Sequence, residues 1–132
     1  MSMEINVLFH GKLPTRAALG RAMKELGFPF AIAERAGSLE DQRGFMPMRL
    51  KRREQTGIEF DVFDGRANVL QIADSDRVAD FDRSANFRWG GDEAEMLAGL
   101  CAAAALARLV DGVVVDVDAN VLSPDEAVAM AE

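Results

Sequence analysis

The sequence predicts a single α+β domain over residues 1–132: a mainly antiparallel sheet of five to seven strands, two longer helices on one face and a short C-terminal helix. Three observations point there. Residues 15–26 and 92–110 carry apolar side chains at helical spacing, short segments between them alternate apolar with polar residues, and residues 113–117 form a β-branched run.

Residues 5–10 are an apolar run broken by Asn6 and ended by Gly11 and Pro14, which reads as a strand buried on at least one face. The helix that follows sets Ala18, Leu19, Ala22, Met23 and Leu26 against Arg16, Arg21, Lys24 and Glu25. Gly27 suits its left-handed closing position, and Pro29 prevents continuation. Residues 30–34 read as a second strand, and the βαβ-like opening favours a parallel pair joined by a right-handed crossover.

A polar, glycine-bounded surface loop is expected at residues 36–44. Residues 45–52 then alternate Phe45, Pro47, Arg49 and Lys51 against Met46, Met48 and Leu50, while residues 58–63 alternate Ile58, Phe60 and Val62 against Glu59, Asp61 and Phe63. This is a hairpin pattern with its connection at residues 53–57, and Pro47 marks an edge or a bulge. After the Asp64-Gly65 turn, residues 67–73 are expected to add another strand, and residues 84–89 a strand whose Ser84, Asn86 and Arg88 form a wet face.

Asp92, with Glu95 three residues on, opens a helix to about Val110. Ala94, Met96, Leu97, Ala98, Leu100, Cys101, the four alanines from Ala102 to Ala105, Leu106, Ala107 and Leu109 leave almost no polar face in its middle. Such a helix lies in the middle of the protomer or is covered on one side by another subunit. Asp111-Gly112 closes it, residues 113–117 read as a buried central strand, and Ser123, Pro124 and Glu126 form a capping box for the last helix.

The composition, 49% hydrophobic and 28% charged, supports a core without a metal or disulfides. The single cysteine, Cys101, has no partner in the chain, and no apolar leader follows Met1, so a reducing cytoplasm is the expected compartment. A net charge of −7 repels phosphate backbones and anionic headgroups, so neither nucleic acid nor a membrane surface is an expected partner. The longest uncharged stretch, residues 96–107, falls short of the roughly 20 residues a membrane-spanning helix needs.

Few residues point to chemistry. The imidazole available as a base, His10, stands at a strand end with no recognisable partner, and Cys101 sits in an apolar helix, where burial disfavours the thiolate. Asp116, Asp118 and Asn120 have the spacing that opens a calcium loop, but Val121 and Ala127 occupy the places of its glycine and its bidentate carboxylate. That leaves a polar turn or a weak cation site. Asp74, Asp76, Asp80 and Asp82 read as a solvated acidic loop, and Asp92 argues against phosphate at the Gly90-Gly91 helix start. Arg49, Lys51, Arg52 and Arg53 reverse the acidic field locally, as a solvated hairpin edge or as a contact surface for an acidic partner.

Several segments carry a resemblance. Gly44-Phe45-Met46-Pro47-Met48 with Thr56-Gly57-Ile58-Glu59, then Trp89-Gly90-Gly91, Gly112-Val113-Val114-Val115-Asp116 and Ser123-Pro124-Asp125-Glu126-Ala127 resemble a loose group of small bacterial α+β domains of unknown function, some associated with the immunity proteins of toxin systems. The resemblance implies an α+β fold and a protein-binding role, and it transfers no catalytic residue.

The expected function is therefore a non-enzymatic protein-binding domain acting through Phe45, Arg49, Lys51, Arg88 and Trp89, with no metal or cofactor. A homodimer joined through the alanine-rich helix or the hairpin edge is a companion expectation. The alternative is a small enzyme or ligand-binding domain, its pocket between the hairpin and the first strand, using His10 with Glu59 or Asp61 as acid and base.

Overall fold

Strand β1 (Met3–Phe9) has full-length antiparallel pairing with β5 (Arg83–Trp89) on one side and pairs with the shorter β6 (Val113–Val115) on the other. The structure is a computed structural model that describes residues 3–32, 36–50, 54–72, 81–90 and 92–131. The remaining elements are α1 (Arg16–Glu25), β2 (Phe30–Ile32), a 3-10 turn (Leu39–Asp41), β3 (Gly44–Leu50), β4 (Glu54–Asp64), α2 (Arg66–Ile72), α3 (Glu93–Val110), β7 (Val121–Leu122) and α4 (Pro124–Ala131). The strands form one seven-stranded sheet in the order β2-β3-β4-β5-β1-β6-β7, with every pair antiparallel.

The α+β class, the mainly antiparallel sheet and the two longer helices on one face are as the sequence predicts. The parallel opening is not. β2 is separated from β1 by three strands and pairs with β3. Buried from Ile5 to Phe9, β1 has its backbone groups met along the whole strand by the seven residues of β5, which take the place the short link through α1 suggests for β2.

The second correction concerns residues 67–73, where α2 stands in place of the expected strand. Gly65, at φ 109°, turns the chain, its carbonyl accepts from the Asn68 and Val69 N–H groups, and Asn68 Nδ2 donates to the Asp64 carbonyl. Val69 and Ile72, three residues apart, then face the sheet, a helical spacing within a segment too short to distinguish the two periods by sequence.

The hairpin is present but longer than expected. Gly57, assigned to the connection, is a β4 residue opposite Pro47. Among the described residues β2 reaches only Met48 to Leu50 of β3, so Pro47 lies where β3 is locally an edge and no ladder donor is required of it. β6 ends at Val115 and is next to last in the sheet rather than central, with the two-residue β7 outside it.

On one face lies the main core, where Ile5, Val7, Phe60 and Phe87 meet α1, α3 and α4. α3 is buried at Ala98, Gly99 and throughout Cys101 to Ala107, so its missing polar face is accounted for inside the protomer. Its small residues admit close neighbours: a Cβ at Gly99 would stand 3.0 Å from Cε3 and Cζ3 of Trp89. Asp92 caps the helix by accepting from Glu95 N at 3.2 Å, Asp111 closes it at φ 53°, and the Ser123–Glu126 capping box starts α4 as expected.

One end of this core is closed by Arg83. Its guanidinium stands over the Phe9 ring, forks onto Glu40 at 2.6 and 2.7 Å, and also binds Asp64 and the Gly11 carbonyl. Glu40 in turn accepts from Leu13 N, so Arg83, through its ion pairs with Glu40 and Asp64, ties the 3-10 turn, the loop after β1 and the end of β4 to β5.

Candidate functional site

The opposite face of the sheet carries a row of polar side chains. Alternation along β5 directs Ser84, Asn86 and Arg88 away from α3, and the register places Asn6 and Asp61 on either side of Asn86, and Glu4 and Glu59 on either side of Arg88. Asn86 Nδ2 donates to Asn6 Oδ1 at 2.9 Å and to Glu4 Oε2 at 3.0 Å.

This face was expected to be wet, but Asn6, Ser84 and Asn86 are 5%, 0% and 6% exposed. The reason is α2. Val69, Ile72 and Phe81 pack with Leu8, Val113, Val115 and Val121 into a second apolar cluster that roofs part of the sheet. Beside the cluster remains an open cavity of about 480 Å³, with Asn6, Ser84 and Asn86 in its floor, Phe63 and α2 on one side and the turn after β6 on the other. Ser84 Oγ is buried with no hydrogen-bond partner among the described residues. An unmet hydroxyl of this kind is uncommon in a folded interior.

A smaller recess of about 330 Å³ adjoins Phe45, Glu59, Arg88, Trp89, Gly90 and Glu95. It brings together three of the five residues expected to make contacts: Phe45, Arg88 and Trp89. Phe45 is 55% exposed, and Arg88 is held by Asp61 and by Glu59 at 3.4 Å. Trp89, however, is 5% exposed with its ring against Gly99, so its main role is packing. Arg49 is exposed on β3, and Lys51 lies outside the described residues, as do Arg52 and Arg53.

The acid–base arrangement built on His10 is not assembled. Asp61 is level with Asn6 across the sheet, four residues from His10 and so roughly 13 Å along the strand direction, and Glu59 is farther still. His10 instead lies exposed, stacked on Phe81 with ring centroids 6.1 Å apart. Glu59 and Asp61 are companions of Arg88.

Burial pushes the Cys101 thiol up to about 12, in keeping with a packed side chain. Asp116 organises a turn: Oδ1 accepts from the Asp118 and Asn120 N–H groups, and Oδ2 from Asn120 Nδ2. No group of three or more His, Cys, Asp or Glu side chains suited to a metal ion occurs among the described residues. Asp74, Asp76 and Asp80 lie outside them. No helix among the described residues is long and apolar enough to cross a membrane.

The residues that sequence reasoning missed are Asn6, Ser84 and Asn86. A signal existed in Asn6, the polar interruption of a strand otherwise apolar from Ile5 to Phe9. No family model matches the chain, and no curated protein and no solved structure matches it significantly.

Proposed function

We propose that the protein is a non-enzymatic binding domain that engages a partner protein through the part of the sheet around Phe45, Glu59 and Arg88. The observation that carries this reading is the large exposed ring of Phe45 beside a recess in which Arg88 is held by Glu59 and Asp61. A contact centred on an aromatic side chain and an arginine, rimmed by polar groups, has the anatomy of a binding hot spot.

Electrostatics favours a cationic partner. Glu59 and Glu95 outnumber Arg88 at the recess, Arg88 is further neutralised by Asp61, and the whole chain carries −7. The resemblance to small bacterial domains of which some are associated with immunity proteins supports a protein-binding role, and a toxin encoded by a neighbouring gene is the concrete partner to try. The apolar face of α3 offers less support for a homodimer, since the protomer covers it.

The test uses purified products of neighbouring genes and measures their binding to the wild-type chain and to Phe45→Ala and Glu59→Lys, with circular dichroism confirming that both variants fold. Binding that weakens about tenfold or more in either variant supports the proposal. A partner indifferent to both substitutions removes this surface from consideration.

A further inference from the structure

We propose that the cavity over Asn6, Ser84 and Asn86 binds a small uncharged ring bearing neighbouring hydroxyls, the chemistry shared by free monosaccharides and the ribose of nucleosides. Its volume of about 480 Å³ falls within the roughly 300–1,000 Å³ of small-molecule sites. Size alone would not identify an occupant, but the floor is specific.

The hydrogen bond from Asn86 Nδ2 to Asn6 Oδ1 orients both amides. It leaves the Asn6 amide as a donor beside the Asn86 carbonyl as an acceptor, with the unpartnered Ser84 hydroxyl, able to act either way, in the same floor. A pair of neighbouring hydroxyls matches this set, because each donates and accepts. A simple cation would leave the Asn6 donor unmet, and an anion would meet the Asn86 carbonyl.

Charge narrows the choice further. Glu4 and Asp116 line the cavity, while no lysine or arginine lines it among the described residues, so a phosphate is repelled. Phe63 and Val117, 47% and 45% exposed, offer apolar surface on opposite sides of the cavity, the Phe63 ring suiting the C–H face of a sugar ring. This site is distinct from the Phe45 recess, and neither proposal depends on the other.

The experiment titrates the full chain with D-ribose, D-glucose, adenosine and uridine, with adenosine monophosphate as the charged comparison, by calorimetry and by amide chemical shifts. Saturable binding of a neutral probe is expected, weakened about fivefold or more in Ser84→Ala and in Phe63→Ala, and weaker for the monophosphate than for adenosine. Ser84→Ala should hold or raise the Tm, because it removes a buried unpaired hydroxyl, so lost binding cannot be attributed to unfolding. Binding of nucleosides alone assigns the source as nucleoside, and binding of the free sugars assigns it as carbohydrate. The proposal is overturned by no saturable binding of any neutral probe up to about 10 mM, by binding unchanged in both variants, or by tighter binding of the monophosphate.

Discussion

The ring of Phe45 lies across Gly57 on the neighbouring strand, filling the space where a side chain would stand. A Cβ at position 57 would collide with the ring and would also stand 2.6 Å from the Met46 carbonyl oxygen. The glycine is therefore a condition for the exposed aromatic at the proposed contact surface.

Gly57→Ala is expected to destabilise the protein by about 1–3 kcal/mol in urea denaturation. Combining it with Phe45→Ala should recover part of the loss, because the ring clash is relieved while the approach to the Met46 backbone remains. Strict additivity of the two substitutions would show that the ring does not rest on the glycine.

The Glu40–Arg83 pair predicts a defined response to acid. The guanidinium holds the Glu40 carboxyl down from its ordinary 4.5 to about 2, helped by the N–H of Leu13. A carboxyl lowered on folding adds stability above its unfolded value and loses it as the pH falls, here between 4.5 and about 2. Full linkage would amount to about 3 kcal/mol, and with 29% of the Glu40 side chain still exposed, screening reduces the expected contribution to roughly 1–2 kcal/mol. Glu40→Gln should therefore lower stability at pH 7 by about that amount, with the difference from wild type shrinking towards pH 2. A difference that does not change with pH would mean the pair contributes by shape alone.

Cys101, 2% exposed with its thiol raised to about 12, is expected to resist alkylation in the native protein at pH 8 and to react fully in denaturant. Labelling followed by mass spectrometry checks this. Rapid native labelling would show that α3 opens locally.

Gly112, at the end of α3, packs so closely on β1 that a Cβ there would run into the Leu8 carbonyl. Because that contact is backbone on a buried strand, Gly112→Ala should cost more than Gly57→Ala, about 3 kcal/mol or above, seen as a large fall in Tm or as insoluble protein. A near-neutral result would place the α3–β1 junction farther apart than described.

The sequence made three of the four helices legible through their ends. Gly27 takes its left-handed position at φ 79° after α1, Asp92 and the Ser123–Glu126 box accept or exchange the bonds that their residue types suggest, and alternation located β3, β4 and β5. Strand adjacency was less legible, because the short link through α1 suggests a neighbour for β1 while the pairing goes to the longer, later β5. The cavity was hidden for a related reason: alternation shows that Ser84 and Asn86 share a face, but not that α2 will roof it. Asn6, Asn86 and Ser84 acquire their meaning only from the packing of Val69 and Phe81 nearby.

Among the described residues the outermost strands of the sheet, β2 with three and β7 with two, leave little template for a further chain to zip onto. An incoming segment could form only a few ladder hydrogen bonds on such stubs, too few to offset the entropy of aligning it. Fibril growth by successive edge addition is thereby discouraged, and recognition is directed to the broad faces of the sheet, where side-chain chemistry rather than backbone pairing selects what binds.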